Sequence, residues 1–191
     1  FERIKRPGHN KEFEHKLKLL EDMINLEYVT PDDIMEYWQE NMRGDVEKKA
    51  IPADPSLSRG LKNMPAQWLD GMCKVYDLEP AKRRREREKQ LCDYLMDPKN
   101  LKKAVNQLEI KQKELLKYLL ERGGWSRLNT LTRKFGSMEG DGFFWSEQPP
   151  ESPLAVLWSK ALVIIGRSKL EGRSCKIATI PVELRQSLQE L

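Results

Sequence analysis

Histidine is nearly absent from this chain of 191 residues, which holds only His9 and His15. Three cysteines, Cys73, Cys92 and Cys175, stand far apart, and no C-x-x-C pair occurs. A zinc site needs clustered sulfur and imidazole donors, so neither residue type supports one. Both histidines lie in the N-terminal segment, away from any Ser or Cys nucleophile, and a His-based triad has no support. There is no G-x-x-x-x-G-K-S/T loop to grip a nucleotide. No apolar run approaches the roughly 20 residues of a membrane span, and no secretory signal is visible. Acidic pairs add little. Asp32-Asp33 reads as helix capping, and only Glu139 and Asp141 stand in a loop where a metal nuclease would want carboxylates. No catalytic residue, metal, cofactor or membrane contact is therefore expected. Free thiols fit a reducing cytoplasm, which is the expected location.

What the chain has in quantity is charge. Charged residues make up 34% and hydrophobic residues 39%, and the mean hydropathy is −0.70. Such a chain builds its core from compact helical units with solvated outer faces. The net charge of +4 is unevenly spread. Residues 62–134 hold 18 basic and 10 acidic side chains, whereas the segments on either side are slightly acidic. A polyanion is the natural partner of such a region.

Two apolar stripes mark the N-terminal part. Phe13, Leu17, Leu20 and Ile24 recur at helical steps within Lys11–Leu26. Thr30-Pro31-Asp32-Asp33 then starts a second helix, with Thr30 as cap and Asp33 placed for a capping box. Ile34, Tyr37, Trp38 and Met42 continue it. This pair resembles the short helical hairpins appended to many prokaryotic proteins, which implies oligomerisation or docking. Alone it buries too little apolar surface to be stable. Gly44–Gly60 has no sustained period and reads as a linker.

Pro65 opens the next helix, with Trp68, Leu69, Met72, Cys73 and Tyr76 inward. After a break at Asp77–Ala81 comes Lys82-Arg83-Arg84-Arg85-Glu86-Arg87-Glu88-Lys89, leading into a helix with Leu91, Tyr94 and Leu95. The arrangement resembles the SAP-type helix–loop–helix module, in which the loop and the second helix start contact DNA backbone. The resemblance implies that role for Arg83, Arg84, Arg85, Arg87 and Lys89. It lacks the Gly-Leu turn often seen in that module, since Asp77-Leu78 stands there. The interleaved Glu86 and Glu88 support the competing reading of a solvated helix face. Pro98–Leu108 reads as a short connecting helix.

The remaining stretch organises the chain. A helix at Ile110–Arg122, with Ile110, Leu115, Leu116, Tyr118, Leu119 and Leu120 as its apolar face, meets Gly123-Gly124. A second helix, Ser126–Phe135, follows Trp125. A third is opened by Ser152-Pro153, and two β-rich runs, Leu162–Arg167 and Cys175–Ile180, close the pattern around Gly172. Three helices and a hairpin are the winged-helix order. Asp141-Gly142-Phe143-Phe144-Trp145, Ser152-Pro153-Leu154, Val163-Ile164-Ile165-Gly166-Arg167 and Ile180-Pro181 resemble the winged-helix domains appended to prokaryotic helicases of the nucleotide-excision-repair type. That resemblance implies DNA binding beside a motor.

Base reading in the major groove wants Arg, Asn or Gln at base edges. The third helix, Ser152–Lys160, offers almost none, and its apolar residues read as core. Phosphate contacts are expected instead from Arg127, Arg133 and Lys134, from the hairpin cations Arg167, Lys169, Arg173 and Lys176, and from free N–H groups after Ser152. Phe143, Phe144 and Trp145 read as a lid on the core, as a stacking platform for single strands or as a docking patch for a partner.

The expectation is a mainly α protein: a helical hairpin at 1–43, a linker at 44–60, a basic SAP-like helix–loop–helix at 61–108 and a winged helix at 109–191. Its expected role is a non-catalytic nucleic-acid-binding module that holds double-stranded DNA with low specificity. The alternative is a winged-helix scaffold for protein interaction or self-association, using the N-terminal hairpin.

Overall fold

A computed structural model describes residues 30–170 and 172–191. The chain divides into two compact units, Phe1–Trp38 and Gln39–Leu191. The first helix of the expected N-terminal hairpin lies outside the described residues. The second is α1 (Pro31–Glu47). Its start carries the reciprocal cap that the sequence implies: Asp33 N–H donates to Thr30 Oγ1 at 3.2 Å, and Thr30 N–H donates to Asp33 Oδ2 at 2.9 Å.

The larger unit is mainly helical with one small antiparallel sheet. After α1 come α2 (Leu57–Asn63), α3 (Ala66–Val75), α4 (Arg84–Met96), α5 (Pro98–Asn106) and α6 (Ile110–Leu120). Then follow β1 (Trp125–Arg127), α7 (Leu128–Phe135), α8 (Pro153–Ser159), β2 (Ile164–Leu170), β3 (Arg173–Thr179) and α9 (Val182–Gln189). The strand order is β1-β3-β2. Trp125 pairs with Thr179, and Arg167 pairs with Lys176.

Local chemistry sets the boundaries. Asp97 accepts from Lys99 N–H at 2.8 Å, and Pro98 occupies the first helical turn of α5. Glu109 and Gln112 form a capping box at the start of α6. Gly123 and Gly124 end that helix with positive φ angles of 78° and 90°. At Gly124 a Cβ would also lie 2.3 Å from Arg185 Nε, so a larger residue would be strained in its backbone and would displace that guanidinium.

Several expectations are corrected. The stretch 44–60 is built into the fold, because Val46, Ile51 and Leu57 are apolar and seek the core. Ile51 N–H donates to Arg167 O at 2.8 Å, and Arg167 N–H donates to Lys49 O at 2.8 Å, so this segment lines the outer edge of β2. Ser56 caps α2. Trp125 is a strand residue; three residues are too few to show a period of two. The helix α9 closes the chain, docked through Leu184 and Leu188. Ile110, expected on the apolar face of α6, is 76% exposed. It occupies the first helical position, ahead of the turns that pack.

The core is continuous from α3 through α8 to the sheet. Trp68 of α3 meets Trp158 of α8 edge-on, with centroids 4.8 Å apart. Its indole N–H donates to Phe143 O at 2.7 Å. Phe143 and Trp145 are buried and Phe144 is half-buried, so the aromatic loop is part of the core.

Candidate nucleic-acid interface

The basic run at the start of α4 is divided by its own helical turn. Arg84 and Arg87 lie toward the core side, whereas Arg85 and Lys89 lie outward. Arg84 Nη2 donates to the carbonyls of Leu61, Lys62 and Met64 at 3.3, 3.1 and 2.7 Å, and its Nε donates to Glu88 at 2.7 Å. It therefore satisfies the open carbonyl end of α2. Arg87 pairs with Asp70 of α3. Both side chains are spent on packing α4 against its neighbours. Arg83 is exposed and sits 3.9 Å from Glu86. Arg85 and Lys89 are exposed and carry no ion pair among the described residues.

Lys49, which sequence reading left in a linker, stands between α4 and the hairpin. Its Nζ donates to Asn63 O at 2.5 Å, beside Arg84, while its backbone carbonyl holds β2 at Arg167. Burial, and then the nearby Arg84 guanidinium, hold the Lys49 ammonium below its ordinary pKa. The start of α4 and the outer strand of the hairpin thus come within one lysine side chain of each other. No periodic signal around Lys49 announces this, because the pairing with β2 is long-range.

The hairpin register sorts its cations by face. Directly opposed residues of an antiparallel pair project the same way. Arg167 faces Lys176, and Lys169, two residues on, shares that side. Arg173 and Cys175 share the opposite side with Ile177, whose partner across β1 is Arg127. Arg167, Lys169, Arg173 and Arg127 are exposed and unpaired among the described residues. Lys176 is not free: its Nζ lies 2.5 Å from Glu47 Oε2, on a carboxylate that also approaches Arg43 at 3.5 Å.

A shallow cleft of about 410 Å³ lies between α7 and β3, lined by Arg127, Asn129, Thr132, Cys175 and Lys176. Arg127 is the cap residue of α7, and its guanidinium has no acceptor to offer the first-turn N–H groups. Further along α7, Arg133 is exposed and, among the described residues, unpaired. Lys134 lies over the Tyr118 ring at 4.2 Å, and Arg122 approaches the same ring at 4.3 Å. α4 packs mainly on α2, α3, α5 and α9, while α7 packs on α6, α8, β1 and β3. The expected cations therefore form two groups, one at α4 with Lys49 and the hairpin's outer strand, the other around α7 and the cleft.

The third helix of the pattern is closed as a ligand site. Leu154, Ala155, Leu157 and Trp158 are buried, and α3 packs on α8. Of the N–H groups expected to be free after Ser152, that of Ala155 is occupied from within, and the two just before the helix are taken by Asp141. Asp141 Oδ1 accepts from Glu151 N–H at 2.7 Å and from Ser152 N–H at 3.1 Å, and Ser152 Oγ accepts from Ala155 N–H at 3.3 Å. A carboxylate fills the place that a phosphate would take. Among the described residues, no cluster of His, Cys, Asp or Glu is arranged to hold a metal ion. No described helix is long and apolar enough to cross a membrane.

Compared with known proteins, the chain matches no family model, no curated protein and no solved structure.

Proposed function

We propose that the unit Gln39–Leu191 is a non-catalytic nucleic-acid-binding module of winged-helix type that holds double-stranded DNA through its backbone phosphates, with low sequence specificity. The observation that carries the reading is the contrast between the hairpin and α8. Arg167, Lys169 and Arg173 stand exposed and, among the described residues, unpaired on the hairpin, while the helix that would read bases is buried under α3. Unpaired cations gain by displacing condensed counterions from phosphate, and such contacts position a protein without specifying sequence.

The order α6-β1-α7-α8-β2-β3, with β1 pairing β3, is consistent with the winged-helix assignment. Burial of Phe143 and Trp145 withdraws the stacking platform that single-strand binding would use, which favours a duplex. Arg83, Arg85 and Lys89 add exposed cations at the start of α4, and Arg127 and Arg133 form a second contact group. Arg84, Arg87 and Lys176 support the fold instead.

The test is fluorescence anisotropy with a labelled random-sequence duplex across a salt series. Micromolar binding that weakens steeply with salt is expected. The combined variant Arg167→Ala/Lys169→Ala/Arg173→Ala should lower the salt slope by about 2–3. Absence of binding at low salt defeats the reading.

A further inference from the structure

An open groove of about 500 Å³ runs between α5, α6 and α9, on elements that the hairpin does not use. Its floor is apolar: Val105, Leu116, Leu120, Leu188 and Leu191. Two features distinguish it from an ordinary surface hollow. First, two exposed apolar residues accompany it, one on its floor and one at the start of α6. Leu191 is 53% exposed, and Ile110, three residues before Lys113 on the same side of α6, is the most exposed large apolar residue described. Second, the rim carries two lysines against one carboxylate, Glu121. Lys113 and Lys117 line it one turn apart, and Lys102 lies one turn before Val105 on the same side of α5. Lys113 is anchored at the groove by a hydrogen bond from its Nζ to Asn106 O at 3.4 Å. Among the described residues, Lys117 alone of these lysines faces a carboxylate, Glu121, at 4.0 Å.

We propose that this groove docks an acidic amphipathic helix from a partner protein. Apolar residues spaced i, i+3, i+4 and i+7 on the partner would cover the leucine floor, and Glu or Asp flanking that stripe would meet Lys102, Lys113 and Lys117. The length of α6, 11 residues or about 16 Å, sets the span at roughly three turns of a partner helix. This occupant fits better than a second copy of the chain lying with its own α6 in the groove, because copies of the lysine stripe would then oppose each other. The inference does not depend on DNA binding: the groove and the hairpin are carried by different elements.

The experiment uses the full chain and a synthetic helix of about four turns, with leucines at helical spacing and glutamates elsewhere, alongside a twin in which lysines replace the glutamates. Amide and methyl NMR shifts locate each peptide. The acidic helix is expected to bind in the micromolar range and to move Val105, Leu116, Leu120 and Leu188. The basic twin should fail. Charge reversal at two exposed positions, Lys113→Glu/Lys117→Glu, should weaken the acidic helix at least tenfold and admit the basic twin. A thermal melt verifies that this variant folds. Shifts confined to Arg167, Lys169 and Arg173 would mean that the peptide only mimics a polyanion on the hairpin, and the proposal is overturned. It is equally overturned if neither peptide binds, or if the chain self-associates in light scattering and the same charge reversal abolishes that association.

Discussion

The indole rings of Trp68 and Trp145 lie face to face, with centroids 3.8 Å apart and planes inclined by 12°. Trp68 belongs to α3 and Trp145 to the loop before α8, so this stack locks the helix–loop–helix onto the helices and sheet that follow. It also explains why the unit does not divide near residue 108. Trp68, Trp145, Trp158 and Phe143 form one aromatic seam that joins the two halves.

Trp68→Ala should therefore act on the whole unit. Trp68 is almost fully buried and its indole N–H holds the aromatic loop at Phe143 O. A loss of about 3–5 kcal/mol is expected. Urea unfolding followed by far-UV circular dichroism should show one transition at a lower midpoint. Two separated transitions would mean that α3 and α4 form an independent domain.

Neighbouring arginines on α4 should have opposite phenotypes. Arg84→Ala removes three carbonyl contacts and leaves the buried Glu88 without its partner, at a cost of about 1–3 kcal/mol. Arg85→Ala should leave stability within about 0.5 kcal/mol, because Arg85 is exposed and unpaired. If α4 touches DNA, only Arg85→Ala should weaken duplex binding at unchanged stability. Paired urea melts and anisotropy titrations separate the two effects.

Alkaline pH should loosen the unit. Burial, reinforced by Glu183, Asp93 and Glu88, pushes the Cys92 thiol from its ordinary 9.0 up to about 11. Burial, with Tyr94 beside it, also raises the Tyr76 phenol, whose hydroxyl donates to Lys160 O at 2.6 Å. Both groups are neutral in the fold and ionise more readily when unfolded. The Cys92 contribution is fully present below pH 9 and is lost as pH rises from about 9 to about 11. Melting temperature should fall across that window. Alkylation of Cys92 at pH 8, mapped by mass spectrometry, should be slow in the native chain and fast in urea.

Gly60→Ala should be costly although α2 is a helix. An added Cβ would lie 1.7 Å from Ile164 Cδ1 on β2. Overpacking of about 1–3 kcal/mol is expected. Ile164→Val removes the nearest atom, so the double variant should lose less than the two single losses combined. Strict additivity in a denaturant series would show that Gly60 does not pack on Ile164.

Much of the helical layout was legible because its signals are local. Thr30 and Asp33, Asp97 and Pro98, and Ser152 and Pro153 mark helix starts where the structure has them, since capping is settled within one turn. The buried faces of α3 and α8 follow from their apolar periodicity. The division of labour among the basic residues was not legible. Arg83, Arg84, Arg85 and Arg87 read alike as a run. Only the direction in which each leaves α4, and the carbonyls and carboxylate it meets there, separates a packing residue from a free one.

The sequence by itself determined the mainly helical character, the hairpin around Gly172 and the concentration of positive charge in the middle third, because composition, capping and periodicity act over a few residues. Tertiary structure decided what long-range pairing alone can decide. It set Lys49–Ile51 against β2, gave Trp125 a strand partner in Thr179, and placed Asp141 on the N–H groups at Ser152. It also buried α8 beneath α3 and tied Lys176 to Glu47, while Arg167, Lys169 and Arg173 face solvent. Each of those outcomes joins residues far apart in the chain, and the free energy that joins them comes from a shared core that no local window contains.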